Sequence, residues 1–198
     1  GGSDEDELRC LNSQESNNDI DMALKYTQLG EKTDFGFFGA FEHDEDFSEG
    51  KDFFAVRTSH KTGNHKIGHM LTYVDRSAID RDATVNAIDY QFIPNEIIKF
   101  DSVLMFSNSN QEKSGFGSRN AVVFQHNKEW RSGVEFYYYN DKLNIDDMGY
   151  LYRNNLFSGG ANVSYTRTDF AEDSPVLSRS YSWDFWSENN ADGETIDN

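Results

Sequence analysis

Apolar and polar residues alternate along most of this chain, most clearly between Asp82 and Ser107. In an extended strand, neighbouring side chains point to opposite faces, so the alternation predicts strands that are apolar on one side only. No 3.6-residue repeat of useful length, which would mark an amphipathic helix, interrupts the pattern. The sequence therefore predicts an all-β fold.

Strand-like segments follow one another through most of the chain. They cover residues 21–29, 35–43, 52–60, 66–74, 83–92, 97–106, 119–126 and 130–139, with further strands near 157–168 and 180–187. We expect an antiparallel up-and-down meander, either a transmembrane β-barrel or a partial block of about nine to ten strands of one. It would occupy residues 21–186, between acidic polar loops or tails at 1–20 and 187–198.

The connections between these segments differ in length. Short turns are predicted at 30–34, 61–65, 93–96 and 127–129, and longer polar loops at 44–51, 75–82, 107–117 and 140–155. The sequence GFGS at 115–118 is interpreted as flexible linkage inside one long loop. A strict alternation of short and long connections is typical of membrane barrels, whereas Greek-key crossovers in a sandwich do not follow it.

Two sets of side chains are predicted to lie on opposite faces of the strands. The apolar set, expected to face lipid, comprises Ile88, Tyr90, Phe92, Ile98, Phe100, Leu104, Phe106, Trp130, Val134 and Phe136. The polar set, expected to face a lumen, comprises Lys25, Arg57, Asp89, Lys99, Asp101, Arg131 and Glu135. A strand in a soluble sandwich alternates in a similar way, so this pattern alone leaves both architectures open.

Aromatic residues near both strand ends favour the membrane barrel, because interfacial girdles place aromatic rings at headgroup level. Those near short turns are Tyr90, Phe92 and Trp130, and those near long loops are Phe106, Tyr138 and Tyr139.

The composition excludes several classes of protein. The chain has 35 acidic and 18 basic residues, a net charge of -17, which argues against nucleic acid because its phosphates would be repelled. An aromatic content of 15% argues against a disordered acidic chain. No stretch approaches the roughly 18 consecutive apolar residues of a membrane helix. The single Cys10 cannot form an internal disulfide.

Segments 18–46, 80–92 and above all NIDDMGYLYRNN at 144–155 carry a family resemblance. The chain resembles, over roughly residues 19 to 168, part of a Gram-negative outer-membrane β-barrel family of unknown function. In that family the barrel follows a carbohydrate-binding-like module similar to family nine, which these 198 residues do not include. The family-marker loop corresponds here to Asn144, Asp147, Met148, Gly149, Arg153 and Asn154, with Tyr150 and Leu151 between them. The resemblance implies an outer-membrane location and no catalytic residues.

Two candidate metal sites have simpler structural interpretations. Asp146 and Asp147 would supply oxygen ligands for a cation, but the preferred interpretation is that Asp caps backbone N–H groups while Met148 and Tyr150 plug the barrel mouth. The histidines of HKTGNHKIGH, namely His60, His65 and His69, would suit zinc or copper, but a hairpin separates them. We expect no metal and no cofactor.

We therefore expect a non-enzymatic outer-membrane barrel acting as a channel, an uptake component or a surface scaffold. Its partners would be outer-membrane lipid, small solutes or polysaccharide, and the remaining strands of a larger barrel if the chain is a fragment. The link to polysaccharide is implied only by the resemblance.

Two alternatives stay open. One is a soluble secreted β-sandwich or barrel that binds carbohydrate through exposed aromatic residues. The other is a glycoside hydrolase-like enzyme, which needs a convergent pair of carboxylates on the same scaffold.

Overall fold

The computed structural model describes residues 20–43, 50–191 and 193. The described residues form ten strands and one short 3₁₀ helix at Ser77–Ile79. The strands are β1 (Ile20–Gln28), β2 (Thr33–Glu42), β3 (Asp52–Thr62), β4 (His65–Arg76), β5 (Arg81–Phe92), β6 (Ile98–Ser109), β7 (Gly115–Gln125), β8 (Trp130–Tyr139), β9 (Leu156–Arg167) and β10 (Arg179–Asn189). Within these ranges, no helix is long and apolar enough to cross a bilayer.

The strands form a single open sheet in chain order, and each strand pairs antiparallel with its neighbours. This confirms the predicted all-β, up-and-down meander of about ten strands. The predicted tail at 1–20 lies outside the described residues except for Ile20, where β1 begins. Half of the predicted tail at 187–198 is described, and β10 continues into it as far as Asn189.

The connections lie at two ends of the sheet. The turn end carries 29–32, 63–64, 93–97, 126–129 and 168–178, and the loop end carries 43–51, 77–80, 110–114 and 140–155. The strict alternation of short and long connections predicted through the first eight strands is wrong, because the connections 77–80 and 110–114 at the loop end are as short as those at the turn end. Half of the predicted loop 75–82 instead pairs in the ladder, Asp75 with Asp82 and Arg76 with Arg81.

The interpretation of GFGS as flexible linkage is also wrong, because residues 115–118 begin β7. The Phe116 ring lies 5.2 Å from the Phe106 ring on the neighbouring strand. Gly115 and Gly117 lie where an added Cβ would come within 2.3 Å and 2.7 Å of Leu143. Glycine is therefore needed here for close packing of another segment on the strand, and not for flexibility.

Few apolar side chains of the described residues are buried. They are Ala40, Val74, Ala83, Leu143 and Leu156. The four that belong to strands lie on one face of the sheet, and Leu143 comes from segment 140–155, which folds onto that face. The small core therefore sits between this segment and the loop end of the sheet.

Candidate functional site

The strand register assigns side chains to two faces, because directly paired residues of an antiparallel ladder point to the same side. Arg57 pairs with Met70, Met70 with Ala87, and Ala87 with Met105. We call the face that contains Arg57 the inner face and the opposite one the outer face. Both continue from β1 to β10 through the same ladder.

All seven residues of the predicted polar set lie on the inner face: Lys25, Arg57, Asp89, Lys99, Asp101, Arg131 and Glu135. All ten of the predicted apolar set lie on the outer face. That these faces meet a lumen and lipid stays a prediction. The placement of Tyr139 among the outer aromatic residues is wrong, since it pairs with Gly117 and Leu156 on the inner face.

A groove of about 590 Å³ runs along the inner face towards the turn end. Its lining residues come from every strand between β3, which contributes Arg57, and β9, which contributes Asn162. Strands in a sheet lie about 4.8 Å apart, so seven neighbouring strands border one cavity only if the sheet curves around it. The inner face is therefore concave.

Oppositely charged side chains pair across and along the groove. Arg57 contacts Asp89 at 2.8 Å between strands, and Lys99 contacts Asp101 at 2.9 Å within one strand. Gln91 Nε2 also donates to Asp101 at 2.7 Å. These side chains stay between a quarter and a half exposed, so the ion pairs are wet and each contributes little to stability.

A second polar network lies further along the groove. Arg119 Nη2 lies 3.2 Å from Glu135, and Arg119 Nε donates to the Tyr137 hydroxyl at 3.0 Å. The Tyr137 hydroxyl in turn donates to Glu135 at 2.9 Å. Lys25 and Arg131 form no ion pair within the described part of the chain. Lys25 belongs to β1 and lies outside the groove, so the groove combines paired charges of both signs with the unpaired cation Arg131.

Gly68 makes room for the ion pair between Arg57 and Asp89. It lies directly opposite Asp89 in the ladder, and an added Cβ would come within 2.5 Å of the Asp89 carboxylate. The missing side chain leaves room for the carboxylate to lie over β4 and reach Arg57 on β3. Nothing in the local sequence pattern pointed to this role.

The outer face carries large apolar side chains that no described element covers. Leu24 is 60% exposed, Phe136 51% and Phe185 70%. Others with high exposure include Phe35, Ile67, Ile88, Phe106, Trp130, Val134, Tyr138, Phe157, Val163, Tyr181 and Trp183. Contiguous exposed apolar surfaces are typical of regions that contact lipid, protein or a ligand.

Aromatic rings border the outer face at both strand ends. At the turn end, ring centroids in contact lie 4.5–6.4 Å apart. That row comprises Tyr26, Phe35, His65, Tyr90, Phe92, Phe100, Phe124, His126, Trp130, Tyr165, Tyr181 and Trp183. At the loop end, contacts of 5.2–6.3 Å connect Phe41, Phe54 and Tyr73, and separately Phe106, Phe116 and Tyr138.

The outer face also contains polar side chains that the apolar pattern did not predict. They bond to one another across strands: Ser102 donates to Asn120 at 2.8 Å, and His69 lies 3.3 Å from Asn86. Because each polar group has a partner, these pairs lower the cost of removing the face from water.

Segment 140–155 contains the family-marker loop, and the Asp147 carboxylate in this loop forms a buried ion pair with the sheet. Arg81 donates twice to Asp147, from Nε at 3.0 Å and from Nη2 at 2.8 Å. The two side chains are only 11% and 8% exposed. Arg76 approaches the same carboxylate at 3.8 Å. Asp147 is thus engaged by two guanidinium groups and is not available as a cation ligand.

The other marker residues hold the loop together. Asn144 Nδ2 donates to Glu112 at 3.0 Å, Arg153 to Asn190 at 2.8 Å, and Asn154 to the Asp141 carbonyl at 3.1 Å. At Gly149, an added Cβ would lie 2.9 Å from the Ile145 carbonyl oxygen. Met148 is partly buried.

The predicted capping role falls to Asp146, whose Oδ1 accepts from the Leu151 N–H at 2.8 Å. The prediction that Tyr150 plugs the mouth is wrong, because Tyr150 is 80% exposed and Leu143 is the fully buried residue. Only the folded loop shows which of its side chains turn inwards.

A family comparison matches residues 56–194 to the domain of unknown function DUF5916. The chain belongs to the DUF5916 family. The match spans most of β3 and all later strands, together with segment 140–155. Because the family is uncharacterised, it confirms the predicted membership in a family of unknown function and assigns no activity. No curated protein matches the sequence.

Within the described part of the DUF5916 chain, no three His, Cys, Asp or Glu side chains come close enough to hold a metal ion. The three histidines around the β3–β4 turn each have a different neighbour. His60 lies 2.8 Å from Thr33, and His65 lies 2.7 Å from the Tyr90 hydroxyl.

Proposed function

We propose that this chain forms part of a transmembrane β-barrel in the outer membrane of a Gram-negative bacterium, as a passive channel or uptake component for small polar solutes. The observation that carries the proposal is the division of the sheet into two faces. One face is apolar, exposed and bordered by aromatic rings at both ends, and the other is concave, polar and lined by paired charges.

The dimensions of the outer face support a bilayer as its environment. The strands contain 9 to 12 residues, close to the roughly 9–11 residues of a tilted transmembrane strand. Between Phe100 and Phe106, which belong to the two aromatic rows, β6 rises about 20 Å at roughly 3.3 Å per residue. A membrane barrel carries an apolar band about 25 Å tall between its girdles.

The chemistry of the inner face supports passage and not catalysis. Each of the carboxylates Asp89, Asp101 and Glu135 bonds to a cation, whereas a general acid needs an apolar pocket. Mixed charges on a wet wall suit hydrated solutes without strong selectivity for ion sign. The resemblance to barrels that follow a carbohydrate-binding module adds polysaccharide fragments as one class of solute.

The sheet edges support further strands as partners. In the described residues, β1 pairs only with β2 and β10 only with β9. Each unsatisfied backbone group costs several kcal/mol in lipid, so a lipid-facing sheet must have no open edge. Strands outside the described sheet, from a longer chain or from further copies, would close the barrel.

Tryptophan quenching by brominated lipid tests the proposal, because two of the tryptophans lie on opposite faces of β10. Trp183 is on the outer face and Trp186 on the inner face, over Gly160. Single-tryptophan variants (W130F with W186F, and W130F with W183F) would be folded into vesicles containing brominated acyl chains. We expect strong quenching of Trp183 and weak quenching of Trp186.

The result of this experiment also distinguishes a membrane barrel from a soluble protein. Equal quenching of the two tryptophans, or a monodisperse folded monomer in buffer without detergent, would contradict a lipid-facing outer surface. The monomer would favour a soluble glycan-binding protein, which a glycan screen would then examine.

A further inference from the structure

We propose that segment 140–155 is a gate across the loop end of the groove and that Asp147 is its latch. This inference rests on the proposed function, since a gate requires a passage. It adds the regulation of that passage to the proposal.

The segment crosses the inner face from β4 to the end of β10. Near β4 and β5, Asp147 contacts Arg76 and Arg81. Over β6, the Asn144 N–H donates to Ser107 Oγ at 3.0 Å. Just beyond β10, Arg153 donates to Asn190. The segment therefore lies across the loop end of the concave inner face and does not extend away from the sheet.

The inward side of the segment packs tightly against the sheet at Leu143. Leu143 is fully buried, and Gly115 and Gly117 leave no room for a Cβ beneath it. The outward side has the opposite character, with Tyr150 and Tyr152 each 80% exposed. One side of the segment thus seals the loop end while the other faces the surroundings.

The latch is the buried Asp147–Arg81 ion pair, which ties the segment to β5. Most other contacts of the segment are neutral hydrogen bonds or the packing of Leu143. Removing one partner of a buried ion pair leaves the other charge desolvated, which is strongly destabilising. Here it would leave Glu112 as the remaining ion-pair partner of Arg81 and would remove the carboxylate that Arg76 approaches. Arg76 Nε is already buried without a hydrogen-bond partner, so little additional support is available.

Thiol accessibility beneath the segment tests the gate. Ser107 is 5% exposed under Asn144, so a cysteine introduced there reports on opening. The variant Ser107→Cys would be made in a Cys10→Ser background and folded in detergent micelles. The rate of its reaction with a small methanethiosulfonate reagent would then be measured.

We expect Asp147→Asn to raise the reaction rate by at least about tenfold, because the loss of a buried pair exceeds the energy of a tenfold shift. Arg81→Lys keeps the charge but loses the bidentate geometry, and should raise the rate by a smaller factor. Asp141→Asn is the matched control. Asp141 lies in the same segment, and its hydrogen bond with Lys142 lowers the pKa of its carboxyl, but it does not touch β5.

Fast reaction of Ser107→Cys in the otherwise unaltered chain would show that the segment does not close the groove. Equal rates for Asp147→Asn and Asp141→Asn would exclude Asp147 as the latch. Circular dichroism checks that each variant keeps its β structure. Because the assay needs a folded chain and no bilayer, these results are independent of whether the outer face meets lipid. In bilayers, Asp147→Asn should also conduct more than Asp141→Asn.

Discussion

The outer and inner faces of the sheet are made from alternating residues of the same strands, yet they differ in chemistry and in how they are covered. The outer face leaves Phe136 and Phe185 more than half exposed, with no described element packed over them. The inner face pairs its charges and covers its loop end with segment 140–155. A fold that stabilised itself in water alone would bury its apolar face and leave its polar face outside. This arrangement is one of the observations that support the proposal of a lipid-facing outer surface.

The largest expected difference in stability comes from introducing a lysine on each face in turn. Leu104 lies on the outer face, and its neighbour Val103 borders the groove on the inner face. In vesicles, Leu104→Lys should lower the free energy of unfolding by about 2–4 kcal/mol, as for a cation near the bilayer midplane. Val103→Lys should cost far less. Denaturant titration in lipid would measure both, and equal losses would abolish the distinction between the faces.

Adding one methyl group on each face should have a smaller effect. Gly115→Ala places a Cβ against the backbone of Leu143, and overpacking of this kind costs about 1–3 kcal/mol. Gly39 lies on the outer face, where a Cβ would meet only side-chain rings at 3.4 Å or more. Gly39→Ala should therefore change stability little. Comparable losses in thermal unfolding would mean that the outer face is also covered.

The smallest effect is expected from the paired charges of the groove. A double-mutant cycle with Arg57→Gln and Asp89→Asn should give a coupling free energy of about 0.2–1 kcal/mol, because both side chains are partly exposed. The coupling should fall as salt is added. A coupling that is larger and insensitive to salt would show that the groove is dry, which would contradict a water-filled passage.

Much of the sheet could be predicted because strand periodicity is local. Every member of the polar and apolar sets from β5, β6 and β8 lies on the expected face, since one alternation fixes them all, whereas Tyr139 at the end of β8 does not. Strand ends were harder to predict. Gly115 and Gly117 resemble loop residues by composition, and only the packing of Leu143 shows why a strand contains them. Asp75 and Asp82 are polar, yet they extend the ladder.

By itself, the sequence determined that the chain forms amphipathic antiparallel strands, because the two-residue alternation acts between neighbouring residues. It also determined which side chains share a face. The tertiary structure decided how the sheet curves around a groove, which cation each carboxylate meets, and where segment 140–155 folds. Asp147 and Arg81 are 66 positions apart, and Asn144 and Ser107 are 37 apart. Such contacts depend on the curvature of the whole sheet, which no local pattern encodes.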